Sequence, residues 1–276
     1  MVGYYQAYKG STQTPLIYSG NNMVRKVYKG STLVYQVGFA PITYNVSGSI
    51  QEFTVPLGVK KIHADCVASR GCDSSSNGGK GGRVQCDISV TGGQILYIVV
   101  GGIPSDSRIA SYNASDIRTN NSGITNSTSL NSRLVVAGGG GSGSSGSGNT
   151  AGAVGGGLTG GNASDTGCSG GGKGGTQSAG GAGGANIPWT SQSVTAGGAG
   201  SKGLGGNGGS NSGVGGAGGA GYYGGGGGAG GQTKKAGIYG AGGGGGSSYT
   251  NANCSNVVHT QGYRNGAGYI TISFVE

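Results

Sequence analysis

Arg133-Leu134-Val135-Val136-Ala137-Gly138-Gly139-Gly140-Gly141 marks the sharpest change of composition in the chain. A short run of strand-forming residues gives way, after Ala137, to a region almost without side chains. Residues 138–246 hold 51 of the 71 glycines in the 276-residue sequence. They carry only five charged residues: Asp165, Lys173, Lys202, Lys234 and Lys235. Beyond them, Gly268 to Val275 alternates Tyr269, Thr271, Ser273 and Val275 with Ile270, Ile272 and Phe274, the period of a strand with one buried face. Strands on either side of the break need each other. The glycine-rich region therefore reads as an insertion into a β fold and not as a tail.

Toward the N-terminus the pattern is antiparallel β. Ile50, Phe53 and Val55 begin a strand that ends at Pro56-Leu57-Gly58. From Lys61 to Ala68, Ile62, Ala64, Cys66 and Ala68 share one face, and His63, Asp65 and Val67 the other. Glycines 78–82 separate this from a strand at Arg83 to Val90, and Thr91-Gly92-Gly93 leads into Ile95 to Val100. Turn signals at a spacing of roughly 8–12 residues are those of a β-sandwich. Residues 104–132, rich in Asn, Ser and Thr, read as loop.

Glycine makes up about a quarter of the chain, against roughly 7% in ordinary domains. Each glycine in a helix interior costs about 1 kcal/mol, which excludes a helical protein. Collagen is excluded because glycine does not hold every third position and there are only five prolines. No run of about 20 apolar residues marks a membrane span. The net charge of +9 invites an acidic partner, but the 17 Lys and Arg are scattered, with no cluster beyond Lys60-Lys61 or Lys234-Lys235. MVGYYQAYKGST at the N-terminus lacks the apolar stretch of a signal peptide.

Composition alone would make residues 138–246 disordered. Two features favour order: the flanking strands, and apolar punctuation at Val154, Leu158, Trp189, Val214, Tyr222-Tyr223 and Ile238-Tyr239. Side-chain-free backbone in an extended threefold helix packs closely against identical neighbours, each N–H bonding a carbonyl next door. The expected fold is thus all-β: an antiparallel β-sandwich over residues 41–276 with a polyglycine-II helix bundle inserted at 138–246.

A smaller element precedes it. Tyr8-Lys9-Gly10-Ser11-Thr12 returns as Tyr28-Lys29-Gly30-Ser31-Thr32, each copy followed by a β-prone run, Leu16-Ile17-Tyr18 and Leu33-Val34-Tyr35-Gln36-Val37. Lys-Gly-Ser between such runs reads as a β-hairpin turn. Two hairpins are too small to be stable alone. Residues 1–40 are therefore expected to attach the chain to a partner or to copies of itself, with Tyr8, Lys9, Tyr28, Lys29, Val34 and Tyr35 as contact residues and a trimer favoured.

Six blocks in order carry a family resemblance. They are Gly79-Lys80-Gly81-Gly82-Arg83-Val84 with Val90 to Ile98; Ala114-Ser115-Asp116-Ile117-Arg118; Arg133 to Gly141; Tyr222-Tyr223-Gly224-Gly225-Gly226; Gly242 to Tyr249; and Gly268-Tyr269-Ile270-Thr271-Ile272. Residues 44–276 so resemble the glycine-rich domain of the anaplastic lymphoma kinase and leukocyte tyrosine kinase ectodomains. The resemblance implies a small β-sandwich carrying polyglycine-II helices. A looser likeness is to the tail-fibre tip adhesins of T-even-like phages, which implies variable loops presented to a bacterial surface receptor. The Tyr-Lys-Gly-Ser-Thr repeats with Val34-Tyr35-Gln36 look like leader repeats of gut-phage structural proteins. This chain shows no EGF-like cysteine module and no kinase, so the kinase-receptor role does not carry over.

Motifs for chemistry are weak. Gly167 to Lys173 fits the frame of a phosphate loop, but position 174 is Gly where Ser or Thr must reach magnesium. His63 and His259 are the only histidines, and no nucleophile elbow occurs. Asp65, Asp73 and Asp87 read as separate surface carboxylates. Asp116 and Arg118 read as a structural ion pair or turn cap, weighed at the roughly 0–1 kcal/mol of a surface pair. Cysteines 66, 72, 86, 168 and 254 include no CxxC pair, which argues against zinc. Cys66 and Cys86 either face each other across a hairpin or are buried free thiols. Neither cofactor nor metal is expected, and basic residues this dispersed make no nucleic-acid groove.

The functional expectation is a non-enzymatic phage protein on the virion surface, extracellular when mature. It is either an adhesin of the fibre or tail tip that binds a bacterial envelope glycan or protein, or a purely structural capsid fibre or decoration protein. Polyglycine helices lack side chains, so recognition falls to the segments that interrupt them. The candidates are Ile187, Trp189 and Gln192 in one interruption and Lys234, Lys235 and Tyr239 in another. Flat aromatic rings suit sugar faces and paired lysines suit anionic groups. The plainer role for Trp189 is to cover the edge of the glycine bundle.

Overall fold

The computed structural model describes residues 4–5, 16–19, 22–188, 192–233 and 237–275. At the N-terminus, β1 (Tyr4–Tyr5), β2 (Leu16–Ser19) and β3 (Asn22–Val24) form a small antiparallel sheet in chain order. β4 (Lys26–Lys29) and β5 (Thr32–Gln36) form the hairpin expected of the second repeat. Lys29 pairs with Thr32 across Gly30-Ser31, and Gly30 has φ +63°, which a two-residue hairpin loop requires of its first residue. Tyr8 and Lys9 of the first repeat lie outside the described residues. The strands flanking that repeat pair in the same sense, Tyr4 with Ile17 and Tyr5 with Leu16.

The body's regular structure is nearly all strand, with one short helix. Its first half holds β6 (Ile42–Asn45), β7 (Gln51–Thr54), β8 (Lys61–Val67), β9 (Gly81–Ser89), β10 (Ile95–Val99), β11 (Ser115–Arg118), the short helix α1 (Ser127–Asn131) and β12 (Arg133–Ala137). The glycine-rich region holds β13 (Gly148–Asn149), β14 (Gln192–Thr195), β15 (Gly230–Thr233) and β16 (Gly237–Gly240). β17 (Tyr249–Thr250), β18 (Cys254–Arg264) and β19 (Tyr269–Phe274) then return to the body.

Two five-stranded antiparallel sheets, ordered β18-β9-β8-β19-β6 and β17-β12-β11-β10-β7, share one core. Alternation dictates it: Ile62, Ala64 and Cys66 of β8, Val84, Cys86 and Ile88 of β9, and Ile270 and Ile272 of β19 point inward from the first sheet. Leu96, Ile98, Ile117 and Val135 meet them from the second. Each large aliphatic side chain so buried contributes about 1.5–3 kcal/mol. Val37 and Phe39, which the sequence reading assigns to the N-terminal element, belong to this core. Val37 is buried in it, and the Phe39 ring lies 5.3 Å from Phe53 and 6.4 Å from Phe274.

Several strands depart from the sequence reading, among them β13 to β16, a small sheet inside the stretch expected to be a polyglycine-II bundle. β11 lies inside the stretch read as loop, and all four of its residues, Ser-Asp-Ile-Arg, are buried. Asp116 and Arg118 are therefore not a surface pair: both side chains are fully buried, with Arg118 Nε 2.6 Å from Asp116 Oδ1. β18, an eleven-residue edge strand, carries mostly exposed side chains and so has no buried face to betray it.

The glycine-rich region packs on the other side of the second sheet, where Ala220 meets Val136 and Ala114. Its backbone hydrogen bonds repeat every third residue. Gly224 and Gly227 donate to Ser201 and Gly198, Gly225 and Gly228 to Gly219 and Gly216, and Gly226 and Ala229 to Lys173 and Gly170, all at 2.8–2.9 Å. The carbonyls of the same residues accept in turn from Gly181 and Gly184, from Gly206 and Gly209, and from Gly244 and Ala241. Segment 224–229 thus has six neighbouring segments, each served by residues three apart. A Cβ added to Gly228 would lie 1.9 Å from the Ala241 oxygen, and one added to Gly225 would lie 2.3 Å from that of Gly244. Glycine is required there by space.

Candidate functional site

Segment 224–229 joins two different ends of the glycine-rich region. One end rests on the body. Tyr222 stacks on Tyr249 of β17 with ring centroids 3.9 Å apart and planes 7° from parallel, and Tyr223 meets Tyr222 edge-on at 5.3 Å. Arg133 of β12 donates to the carbonyls of Gly221 (2.9 Å) and Tyr222 (3.1 Å), with its guanidinium 5.3 Å from the Tyr222 ring. Lys202 lies over the same ring at 5.4 Å and donates to Asn131 Oδ1 at 2.5 Å. Burial and the nearby Arg133 charge lower the Lys202 ammonium below its ordinary value. This aromatic and cationic cluster is a clamp between insertion and body.

The other end carries the sequence-predicted recognition segments, and the chain brings them together. β13 to β16 form a four-stranded sheet ordered β13-β16-β15-β14. Gln192 opens β14 and pairs with Thr233, the last residue of β15. β15 and β16 pair antiparallel, Thr233 with Gly237, so residues 234–236 form their connection. Gln192–Thr195, the end of the interruption at 185–195, and Gln232–Thr233 and Gly237–Tyr239 of the one at 232–239 thus lie in neighbouring strands of one sheet. Trp189, Lys234 and Lys235 lie outside the described residues. Ile187 is half-buried, and its backbone N–H donates to the Cys168 carbonyl at 2.9 Å.

Tyr239 is half-buried and packs against backbone. A Cβ on Gly148 would come within 2.5 Å of its ring, and one on Gly167 within 2.6 Å. Its carbonyl accepts from Ser169 Oγ at 3.2 Å. Around it the exposed side chains are Asn186, Ser193, Thr195 and Gln232, with the apolar Ile238 also exposed opposite Gln232. Asn211 Nδ2 donates to Ser193 Oγ at 2.8 Å, which ties the 210–213 turn to β14. The sequence reading missed Asn211, although Ser210-Asn211-Ser212 breaks the glycine pattern just as the chosen segments do. The nearest ion pair, Lys173 Nζ with Asp165 Oδ1 at 3.5 Å, is open to solvent on both sides.

Elsewhere the carboxylates are committed to separate partners. Asp65 takes a bidentate contact from Arg83, at 2.7 and 2.8 Å, and Asp73 pairs with Arg70. Asp87 accepts from Asn256 Nδ2 at 2.7 Å and lies 2.7 Å from His63 Nδ1. Burial raises the Asp87 carboxyl, but the His63 and Asn256 hydrogen bonds outweigh it and hold the group below its ordinary value. Ser273, His63 and Asp87 stand in one row across β19, β8 and β9. They lie on the face of that sheet opposite the inward-pointing Ile62, Ala64, Cys86 and Ile88.

Of the expected attachment residues, Tyr28 is 56% exposed on β4, and Lys29 beside it is exposed. Val34 and Tyr35 lie in β5, which pairs Tyr35 with Val27. No protein-family model and no curated protein sequence matches the chain.

Proposed function

We propose that this chain is a non-enzymatic virion adhesin. In this reading a β-sandwich carries a polyglycine-II bundle that holds a recognition tip away from the particle, and residues 1–36 make the attachment. The observation that carries it is the convergence of two sequence-distant interruptions, 185–195 and 232–239, whose described strand residues lie on adjacent strands at one end of the glycine-rich region. The three-residue hydrogen-bond period and six neighbours of segment 224–229 support polyglycine II. At about 3.1 Å per residue, such helices set the tip roughly 20 Å from the Tyr222–Tyr249 clamp. A lattice that saturates its own backbone bonds is rigid without bulky side chains, and rigid scaffolds with variable loops suit recognition.

The tip's chemistry fits a bacterial envelope glycan. Amides and hydroxyls at Asn186, Ser193, Thr195, Asn211 and Gln232 match sugar hydroxyls. Trp189 supplies a flat ring, and Lys234 and Lys235 suit acidic sugars or phosphates. Attachment to other virion proteins, or trimerisation, falls to the exposed hairpin bearing Tyr28 and Lys29. The test is adsorption of purified protein to whole cells and to arrayed envelope glycans. Trp189→Ala, Gln232→Ala and the Lys234→Ala/Lys235→Ala pair should each fold like the parent and lose at least tenfold in binding. Binding retained by all three, or a parent that binds no cell or glycan, would point instead to a decoration or fibre component.

A further inference from the structure

Asn-Gly occurs three times, at 77–78, 207–208 and 265–266. The pair carries its own chemistry: the glycine nitrogen can close a small ring on the asparagine carboxamide, and glycine has no Cβ to block the approach. All three asparagines are exposed, so exposure does not separate them. Their surroundings do. The Gly78 N–H donates to Asp73 Oδ1 at 2.9 Å, and a Cβ on Gly78 would lie 2.2 Å from the Gly71 oxygen. The Gly208 N–H donates to the Arg108 carbonyl at 2.8 Å, and Asn207 Oδ1 accepts from the Ala110 N–H at 2.9 Å. A Cβ on Gly208 would lie 1.9 Å from the Gly215 oxygen. In both pairs the attacking nitrogen is engaged and the chain is walled in by other backbone. Asn265 and Gly266 instead sit in the turn between β18 and β19. Neither the Asn265 side chain nor the Gly266 N–H has a hydrogen-bond partner among the described residues. The atoms nearest to a Cβ on Gly266 belong to the Arg264 side chain, Nε at 3.2 Å with Cζ and Nη2 at 3.4 Å. That guanidinium is held by a hydrogen bond from Nε to the Ala267 carbonyl at 3.1 Å and lies over the Tyr269 ring, 5.6 Å from its centre.

We propose that Asn265-Gly266 is a self-modification site, at which the folded protein converts Asn265 to aspartate and isoaspartate while Asn77 and Asn207 are spared. The Gly266 nitrogen gives its proton to hydroxide and attacks Asn265 Cγ. The Cγ–Nδ2 bond breaks, Nδ2 takes a proton from water and leaves as ammonia, and a cyclic imide remains. Water then opens the imide. Cleavage at Cγ restores the main chain with an aspartate side chain, and cleavage at the backbone carbonyl routes the main chain through Cγ as isoaspartate. In sum, one carboxamide and one water give one carboxylate and one ammonium ion, with no change of oxidation state. The Arg264 charge favours the anionic nitrogen and the tetrahedral oxyanion that follows it, whereas at Gly78 the Asp73 carboxylate opposes both.

The inference stands apart from receptor binding. It concerns the turn that joins edge strand β18 to β19, where the Gly266 carbonyl accepts from the Arg70 N–H at 3.0 Å. The test incubates the full-length chain in mildly alkaline buffer, folded and in urea, and follows each Asn-Gly peptide by mass and by isoaspartyl methyltransferase labelling. In the folded protein Asn265 should convert at least tenfold faster than Asn77 and Asn207. In urea the three rates should converge, since the dipeptide is the same and only the surroundings differ. Gly266→Ala should slow the reaction at 265, because its Cβ crowds the attack. Arg264→Gln should slow it as well and leave Asn77 and Asn207 unchanged. Because the parent carries the comparison, a poorly folding variant does not decide the matter. Equal rates at the three sites of the folded protein, earlier conversion at Asn77 or Asn207, an Asn265 that stays an amide, or a spread in urea as wide as in the folded state would overturn the proposal. An Arg264→Gln rate equal to the parent's would overturn the part given to the guanidinium.

Discussion

Arg118 and Asp116, two residues apart on central strand β11, form a bidentate ion pair in which neither side chain touches solvent. Nε reaches Oδ1 at 2.6 Å and Nη2 reaches Oδ2 at 2.7 Å. Arg118 Nη1 donates onward to the Ile124 carbonyl and Ser129 Oγ, both at 2.9 Å, and the Tyr112 hydroxyl donates to Asp116. The pair is thus the hub that holds loop 120–126 and helix α1 against the sheet. Breaking a buried pair strands the remaining charge and costs about 3–5 kcal/mol. Asp116→Ala and Arg118→Ala should each lose stability on that scale in urea denaturation, and the double variant should lose clearly less than the sum. Additive losses would mean that the two side chains act independently.

The glycine lattice makes a sharper contrast. Gly228 is buried and its missing Cβ would sit 1.9 Å from a carbonyl oxygen, whereas at exposed Gly198 the nearest atom would be 3.3 Å away. Backbone cannot retreat from the first contact without breaking the bonds to its neighbours. Gly228→Ala should cost more than about 3 kcal/mol, the upper end of ordinary overpacking, or melt the insertion outright. Gly198→Ala should cost less than about 1 kcal/mol, since a few tenths of an ångström relieve it. Hydrogen exchange across residues 138–246 reads the difference directly. Equal protection in both variants would refute close packing as the reason for glycine at 228.

These contrasts show what the sequence makes legible. The insertion's limits, the β8, β9, β10 and β19 strands and the Gly30-Ser31 turn follow from period and turn chemistry, because each has one apolar face or one obligatory glycine. β11 was hidden because its buried side chains are polar, and only a closed hydrogen-bond network makes that tolerable. β18 was hidden for the opposite reason: an edge strand with both faces largely wet carries no period. In the β13–β16 sheet, the two interruptions were visible as breaks in glycine composition. Their adjacency was not, because it depends on long-range pairing of β14 with β15. Tyr239, chosen as a contact residue, is in part a packing residue over Gly148 and Gly167.

His259 offers a test by pH. It is half-buried on β18 opposite Val84, and its buried Nδ1 has no hydrogen-bond partner among the described residues. Burial lowers the imidazole below its ordinary value of about 6.5. As pH falls through that value the unfolded chain takes up a proton before the folded one does, so stability falls with it. His259→Leu should remove this part of the acid sensitivity. The difference in thermal midpoint between variant and parent should widen in the variant's favour from pH 7.5 to pH 5.5, a window of about one unit either side of the free imidazole. A difference independent of pH would show that the folded and unfolded chains bind that proton alike.

The N-terminal element calls for a cut at the right residue. The β4–β5 hairpin is exposed along most of β4 and too small to be stable alone. Val37 and Phe39, by contrast, fill the body's core beside Phe53 and Phe274. Removing residues 1–36 should leave a soluble protein whose thermal midpoint matches the parent. Removing residues 1–40 also takes Val37 and Phe39, opens a cavity at the β7–β19 edge and should cost about 2–5 kcal/mol. The two truncations separate anchoring from folding. If the hairpins serve attachment, both lose association with the particle or with sister chains, and only the longer one loses stability. A shorter truncation that already unfolds would place residues 1–36 in the fold itself, and one that still assembles would place attachment elsewhere.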